Sequence, residues 1–248
     1  MINRGMTVRE IAVQMPQATR VLEKLKIDYC CGGLRPLTDA CGSAGLNVDE
    51  VIGMLEAENE SGAPETDSAD FQKFSLSELI DYIVSTHHVF TKQEMARLAV
   101  LTTKVISAHG ANHPELHKVG ALVDQLCADL NPHMFKEEQV LFPYILSLAS
   151  ASEAKRRAPF APFGTVNNPV RMMMKEHDIA GEILRELRTV TADYTIPHDA
   201  CISYRTLYEA LEAFENDLHQ HIHLENNILF PRSVTLETEL RALTGSGV

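Results

Sequence analysis

Apolar residues recur at steps of three and four along four long stretches of the chain, which is the pattern of helices that bury one face. These stretches cover roughly residues 76–108, 115–149, 169–192 and 199–232. No stretch shows the alternation typical of a strand, so the predicted fold class is all-α, with four long helices forming a bundle. In the second helix, the predicted core-facing positions are Val119, Val123, Leu126, Leu130, His133, Glu137, Val140 and Tyr144.

The residues before these stretches predict a separate, smaller helical domain. Thr7 and Glu10 have the spacing of a capping box, and Ser75 and Glu78 repeat it where the first long helix should begin. The segment between the small domain and Ser75 is polar, contains glycine and proline, and lacks apolar periodicity, as a linker does. The predicted organisation is a small helical domain over 1–60, a linker over 61–74 and a bundle over 75–235.

Charge and composition exclude several classes of protein. The 248 residues include 22 basic and 34 acidic side chains, a net charge of −12 that repels a polyanion, so nucleic acid is not expected as a main partner. No apolar run is long enough to cross a membrane, and the first 20 residues lack the layout of a signal peptide. Five scattered cysteines suit reduced thiols rather than a disulfide framework. A cytoplasmic location is therefore predicted.

Polar residues occupy predicted core positions on three of the four long helices. His133 and Glu137 do so on the second, His177 on the third, and His221 and Glu225 on the fourth. A buried carboxylate costs several kcal/mol unless it is paired, neutralised or bound to a metal. Such groups on three helices therefore indicate a metal site.

An internal repeat strengthens this interpretation. The pattern H-x3-E-x2-[VI]-L-F-P occurs at 133–143 and at 221–231, and two further histidines, His88 and His177, have nearly the same separation. Each half of the repeat would offer two imidazoles and one carboxylate. A site in which two metal ions share the two carboxylates suits iron. The repeat contains no thiolate ligand, which disfavours structural zinc. The predicted ligands are His88, His133, Glu137, His177, His221 and Glu225.

Several positions remain open in the sequence. Helical periodicity puts His87 nearer the centre of the apolar stripe than His88. Pro132 predicts a kink, or a helix that restarts there with Asn131 as its cap. Asp129 and Glu176 are candidates for holding a ligand imidazole. Three other side chains are expected to face solvent: Glu138, His219 and His223.

These motifs resemble the repair-of-iron-centres family of hemerythrin-like di-iron proteins. The resemblance rests on Asp28-Tyr-Cys-Cys-Gly-Gly33, on Glu176-His177-Asp178 and on both repeats ending in Leu-Phe-Pro. It implies a hemerythrin-like four-helix bundle fused to a small N-terminal helical domain. It also implies two non-haem iron ions, oxo-bridged when oxidised, held by four histidines and two bridging glutamates, with His88 rather than His87 as a ligand.

The resemblance implies a role in repairing iron–sulfur clusters damaged by nitric oxide or oxidants. Small ligands would be nitric oxide or oxygen, partners would be damaged iron–sulfur proteins, and a homodimer is left open. Cys30 and Cys31 would be a thiol site for released iron, nitrosyl or a client cluster, or else merely buried small residues at a turn. A sensor or carrier of nitric oxide or oxygen, and a nitric oxide reductase, need the same six ligands, so the sequence does not decide whether the protein is an enzyme.

Overall fold

A computed structural model describes residues 2–60 and 70–243 of the chain. Over these ranges the secondary structure is helical, and the extended backbone pairs only in an isolated bridge between Thr7 and Pro36. The all-α prediction is confirmed. The predicted linker over 61–74 lies mostly outside the described residues, and no described helix is long and apolar enough to cross a membrane.

The chain forms two compact units. One comprises the residues up to Leu79 together with His219–Arg232, and the other comprises Ile80–Leu218 and the residues from Ser233 onward. The first unit contains four short helices: α1 (Val8–Gln14), α2 (Ala18–Lys24), α3 (Leu37–Ala44) and α4 (Val48–Glu60).

Apolar side chains at helical spacing form the core of the first unit. Ile11, Leu22, Leu37 and Leu55 each come from a different short helix and are fully buried. The predicted capping box starts α1: the Glu10 amide donates to Thr7 Oγ1 (3.1 Å), and Glu10 Oε2 accepts from the Thr7 amide (2.8 Å). These bonds satisfy amides that lack a partner at a helix start.

The four predicted long helices are present, and three of them contain a turn of π-helix. The segments are α5 (Leu76–Tyr82), π1 (Ile83–His88) and α6 (Val89–His109); α7 (Glu115–Lys136), π2 (Glu137–Leu141) and α8 (Phe142–Glu153); α9 (Asn167–Val190); and α10 (Ile202–His223), π3 (Leu224–Leu229) and α11 (Phe230–Ala242). Within the second unit, α7 packs against both α6 and α9. The fourth helix extends ten residues beyond its predicted end.

Proline gives a physical reason for two of the π turns. Pro143 and Pro231 follow π2 and π3 closely, and each lacks the amide that would bond to the carbonyl four residues earlier. A wider turn with bonds five residues apart tolerates this loss. A π turn contains one more residue than an α-helical turn, so it changes which of the following side chains face inward. Val140, predicted to lie in the core, is 46% exposed, whereas Leu141 is 1% exposed, so that prediction is wrong.

Of the two alternatives left open at Pro132, the one in which the second helix restarts there is wrong. Helix α7 continues through Pro132 to Lys136. Asn131 is not a helix cap; its side-chain amide donates to the Cys127 carbonyl (3.0 Å), a backbone acceptor one turn earlier. The carbonyl that loses its amide donor to Pro132 is that of Ala128, four residues earlier, so this bond does not replace the missing one.

Candidate metal centre

The six predicted ligands are all buried. None of the side chains is more than 2% exposed, and the π turns carry three of them: His88 ends π1, Glu137 begins π2 and Glu225 lies in π3. π turns are often found at functional sites because they redirect side chains without ending the helix.

The ligand atoms of these residues form two groups that have both glutamates in common. One group is His88, His221, Glu137 and Glu225, and the other is His133, His177, Glu137 and Glu225. Within each group the atoms lie within 4.8 Å of one another. Two imidazoles unique to each group, together with two shared carboxylates, are what a pair of metal ions with bridging carboxylates needs.

Neighbouring carboxylates fix the orientation of two imidazoles. His133 Nδ1 donates to Glu176 Oε2 (2.8 Å), and Lys136 also donates to Glu176. His88 Nδ1 donates to Glu138 Oε1 (2.7 Å), and Lys92 Nζ donates to the same oxygen (2.6 Å). With the proton on Nδ1, a neutral imidazole presents the lone pair of Nε2 to a metal, as metal-binding histidines do.

These contacts keep the outer carboxylates ionised. The hydrogen bond from His133, assisted by Lys136, lowers the pKa of Glu176 to about 2 against the opposing effect of partial burial. Partial burial also works against the charged form of Glu138, but hydrogen bonds from Lys92 and His88 lower its pKa. Both carboxylates therefore remain acceptors at neutral pH.

The geometry around His133 suits a cation. Its Nε2 lies 3.0 Å from His177 Nε2 and 3.3 Å from Glu137 Oε1. A lone pair this close to a carboxylate oxygen is repulsive unless a proton or a cation lies between them. The donors are imidazole nitrogens and carboxylate oxygens without thiolates, a set that suits iron better than a structural zinc site. The residues present therefore fit iron.

The structure separates the two candidate histidines of the first long helix. Both are buried, but it is His88 that belongs to the metal-binding group, with Nε2 3.5 Å from Glu137 Oε2. His87 Nδ1 instead contacts Asp217 Oδ1 at 2.9 Å. The π turn that ends at His88 explains why an ideal helical period favours the wrong neighbour.

The outer positions require three corrections. Asp129 is exposed, and Glu176 is the carboxylate at His133 Nδ1. Glu138, predicted to face solvent, holds His88. His223, also predicted to face solvent, is 7% exposed and its pKa is lowered to about 4 by burial, with a smaller contribution from Arg9. Glu176 directly precedes His177 and Glu138 directly follows Glu137, so an acidic residue beside a predicted ligand was the available signal for the first two.

The Cys30–Cys31 turn belongs to the first unit. Asp28 Oδ1 accepts from the amides of Cys30 (3.1 Å) and Cys31 (2.9 Å), and the two sulfur atoms lie 3.8 Å apart. Gly33 is required here, because a Cβ at that position would lie 2.6 Å from the Tyr29 carbonyl oxygen. Asp28, Cys30 and Cys31 place one ligand atom each within 4.8 Å of the others.

Two asparagines of π3 hold this turn. Asn227 Nδ2 donates to the Tyr29 carbonyl (2.9 Å), and Asn226 Nδ2 donates to the Cys30 carbonyl (3.3 Å). Both follow Glu225 directly in the chain, so the same turn carries a candidate metal ligand and the contacts to the cysteines. The sequence pattern gave no reason to single out these asparagines.

Comparison with known proteins identifies the family. Residues 79–233 match the model of the hemerythrin HHE cation-binding domain. The chain belongs to the hemerythrin HHE family. Residues 4–59 match a second model, ScdA_N, a domain of unknown function (DUF542).

Curated relatives resemble this hemerythrin HHE protein along nearly the whole chain. A probable iron-sulfur cluster repair protein of Haemophilus influenzae is 35% identical over 90% of this chain and 94% of its own length. Iron-sulfur cluster repair protein YtfE of Pectobacterium carotovorum is 33% identical, over 94% of this chain and 99% of its own. The YtfE protein of Yersinia pseudotuberculosis is 32% identical, over 93% and 97% respectively. The family resemblance inferred from the motifs is confirmed.

The contact between Glu176 and His133 gives a first prediction. We expect Glu176→Gln to weaken metal binding by about 10–100-fold. The neutral side-chain amide of glutamine accepts a weaker hydrogen bond from His133 Nδ1 than a carboxylate does, so it holds the imidazole less firmly. Titration with Fe(II) against a competing chelator measures this affinity. Glu182→Gln, an exposed position on the same helix, is the matched control and should leave the affinity unchanged. Equal affinities for both variants would contradict the role assigned to Glu176.

Proposed function

We propose that this protein repairs iron–sulfur clusters damaged by nitric oxide or oxidants, using two iron ions held by His88, His133, Glu137, His177, His221 and Glu225. One observation carries the proposal: two groups of buried ligand atoms have both glutamates in common. The names of the relatives, iron-sulfur cluster repair proteins similar over nearly their full length, support the biological role.

The iron pair would supply redox chemistry and binding of nitric oxide or oxygen, and its oxidised form would be oxo-bridged. The residues of the chain provide the setting for that chemistry. The bundle keeps water away from the ligands, all of which are buried. Glu138 and Glu176 hold two imidazoles in the tautomer that binds metal. Lys92 and Lys136 balance the charge of these outer carboxylates.

The Cys30–Cys31 turn is the candidate site for iron in transit. Two thiols and one carboxylate converge there, and thiolate sulfur is the ligand that iron–sulfur clusters themselves use. A hydrogen bond to Cys31, with burial, raises the pKa of the Cys30 thiol well above its ordinary value. Cys30 therefore holds its proton until a cation displaces it, which makes binding reversible.

Partners and location follow from this role. The client would be a protein with a damaged cluster, the small ligand would be nitric oxide or oxygen, and a homodimer is one arrangement in which the protein could act. None of the five cysteines, all within the described ranges, forms a disulfide. Reduced thiols support a cytoplasmic location.

A repair assay tests the proposal. We expect iron-loaded protein to restore activity to a nitrosylated [4Fe–4S] enzyme under anaerobic conditions without added iron. The Cys30→Ser/Cys31→Ser variant should keep its bound iron but lose repair, because its metal ligands in the bundle are intact while the transit site is gone. Cys127→Ser, which removes a half-buried thiol elsewhere, is the control and should behave like the wild type. Iron content and client activity are measured on the same samples.

Other outcomes would replace the proposal. Stoichiometric nitrosyl binding with no recovery of the client would identify a binding or sensing protein. Many turnovers to nitrous oxide with an electron donor, dependent on Glu137 and Glu225, would identify a nitric oxide reductase. Recovery that persists in the double cysteine variant would leave cluster repair standing but remove the Cys30–Cys31 turn from it.

A further inference from the structure

A thiol and an imidazole meet within the second unit, apart from the candidate metal ligands. Cys201 directly precedes α10, and His109 is the last residue of α6. Their side chains are in contact, with Cys201 Sγ 3.1 Å from His109 Nε2. Cys201 is exposed, so molecules in solution can reach the sulfur. A nucleophile within hydrogen-bond distance of a base is the usual arrangement of a reactive cysteine.

The start of α10 favours the charged form of Cys201. Amides at a helix start stabilise an anion, and carbonyls at a helix end stabilise a cation. The backbone amide of Tyr204 and the imidazole of His109 lower the pKa of the Cys201 thiol, with a further contribution from the Ser203 amide. The start of α10 thus stabilises a thiolate at Cys201, and the His109 ring lies beside that sulfur at the end of α6.

The surrounding groups position the histidine. The His109 ring packs edge-on against Tyr204 (5.3 Å between centroids), and the His113 ring lies 6.2 Å away. His113 Nε2 contacts Asp199 (3.1 Å) and its Nδ1 contacts Glu115 (2.9 Å), and these carboxylates raise its pKa. Other titratable groups near the pair are Tyr208, whose hydroxyl lies 3.3 Å from that of Tyr204, and His198, close to Asp199. His117 also lies nearby, because its Nε2 would be 3.0 Å from a Cβ added at Gly110, the residue after His109.

Cys127 shows the contrast within the same chain. It is half-buried inside α7, and burial, reinforced by Asp124, raises the pKa of its thiol to about 11. The environment of Cys201 differs in exposure, in its imidazole neighbour and in its place at a helix start. These differences predict distinct reactivity for two thiols of one protein.

We propose that Cys201 is a modification site that forms mixed disulfides with low-molecular-mass disulfides, with His109 stabilising the thiolate. The thiolate attacks one sulfur of the small disulfide, a new S–S bond forms to Cys201, and the old S–S bond breaks. The departing thiolate takes the proton of the His109 imidazolium and leaves as a thiol. The exchange needs no further oxidant, since the small disulfide is the oxidising partner. This inference does not depend on the proposed repair function.

The test uses glutathione disulfide and the full-length, iron-loaded protein under anaerobic conditions. Trypsin releases residues 189–205, which contain Cys201 as their only cysteine, so mass spectrometry follows the adduct at this position. We expect the pH midpoint of adduct formation to lie below that of the same peptide segment in the urea-unfolded chain. Cys201→Ser should remove the adduct from this peptide, and Cys127→Ser should leave it unchanged.

His109→Gln isolates the role of the imidazole. We expect the midpoint to rise by about one pH unit or more. The rate at pH 6 should fall several-fold, somewhat less than the loss of thiolate, because thiols of higher pKa are stronger nucleophiles. Circular dichroism and thermal melting verify that the variant is folded. A native midpoint equal to that of the unfolded chain, an unchanged midpoint in folded His109→Gln, or no adduct at Cys201 in the wild type would each overturn the proposal.

Discussion

Glu137→Gln and Glu225→Gln are each expected to reduce bound iron from the proposed two ions per chain toward one, and the double variant should bind none stably. Both carboxylates belong to both groups of ligand atoms, so each removal affects both predicted ions. A neutral amide bridges two cations poorly, and we expect affinity losses beyond the roughly 100-fold that outer contacts cause. Metal analysis and Mössbauer spectra of protein purified with iron measure stoichiometry and pairing.

A matched control separates this effect from general damage. Glu182→Gln changes the charge by the same amount at an exposed position of α9 and should retain two irons. The amount of iron bound by Glu176→Gln should lie between that of Glu182→Gln and those of the Glu137 and Glu225 variants, because Glu176 contacts a ligand imidazole rather than the ions. A single zinc in the wild type, or two irons retained by the double glutamine variant, would contradict the shared-carboxylate site.

The histidines and glutamates could be predicted because burial makes them conspicuous. His177 lies on α9, which has no π turn, and the apolar spacing around it identifies the buried face without error: Met173, Ala180 and Leu184 are all buried. His133 and Glu137 stand one turn apart before the helix widens at π2. Within α7, before π2, an ideal helical period describes which side chains face inward.

Predictions failed where the period changes. After Glu137 the π turn moves Leu141 inward and Val140 outward. His87 and His88 are both buried, but it is His88, the last residue of π1, whose ring belongs to the metal-binding group. The Leu-Phe-Pro endings contain the prolines that favour a wider turn, but a prediction from apolar periodicity takes no account of them. Outer contacts such as Glu138 to His88 join residues 50 positions apart, and helical spacing alone does not place them together.

Removing the metal is expected to lower the melting temperature of the wild-type protein by roughly 8–16 °C. Metal at a thousandfold excess over its dissociation constant contributes about 4 kcal/mol to stability, and each kcal/mol corresponds to about 2–4 °C in a protein of this size. Without metal, two carboxylates within 4.8 Å of each other remain buried. Calorimetry of chelated and iron-reloaded protein measures the difference.

The glutamine variants should reverse the order of stability between the two states. Glu137→Gln/Glu225→Gln replaces two buried, neighbouring carboxyl groups with neutral amides. Its metal-free form should therefore be more stable than the metal-free wild type by about 1–4 kcal/mol. In the presence of Fe(II) the wild type should be the more stable protein, because it alone gains binding energy. Purely structural glutamates would give the opposite pattern, with the variant less stable in both states. A reversal in the order of stability between the metal-free and Fe(II)-bound states therefore distinguishes carboxylates that a cation stabilises from carboxylates that stabilise the helices themselves.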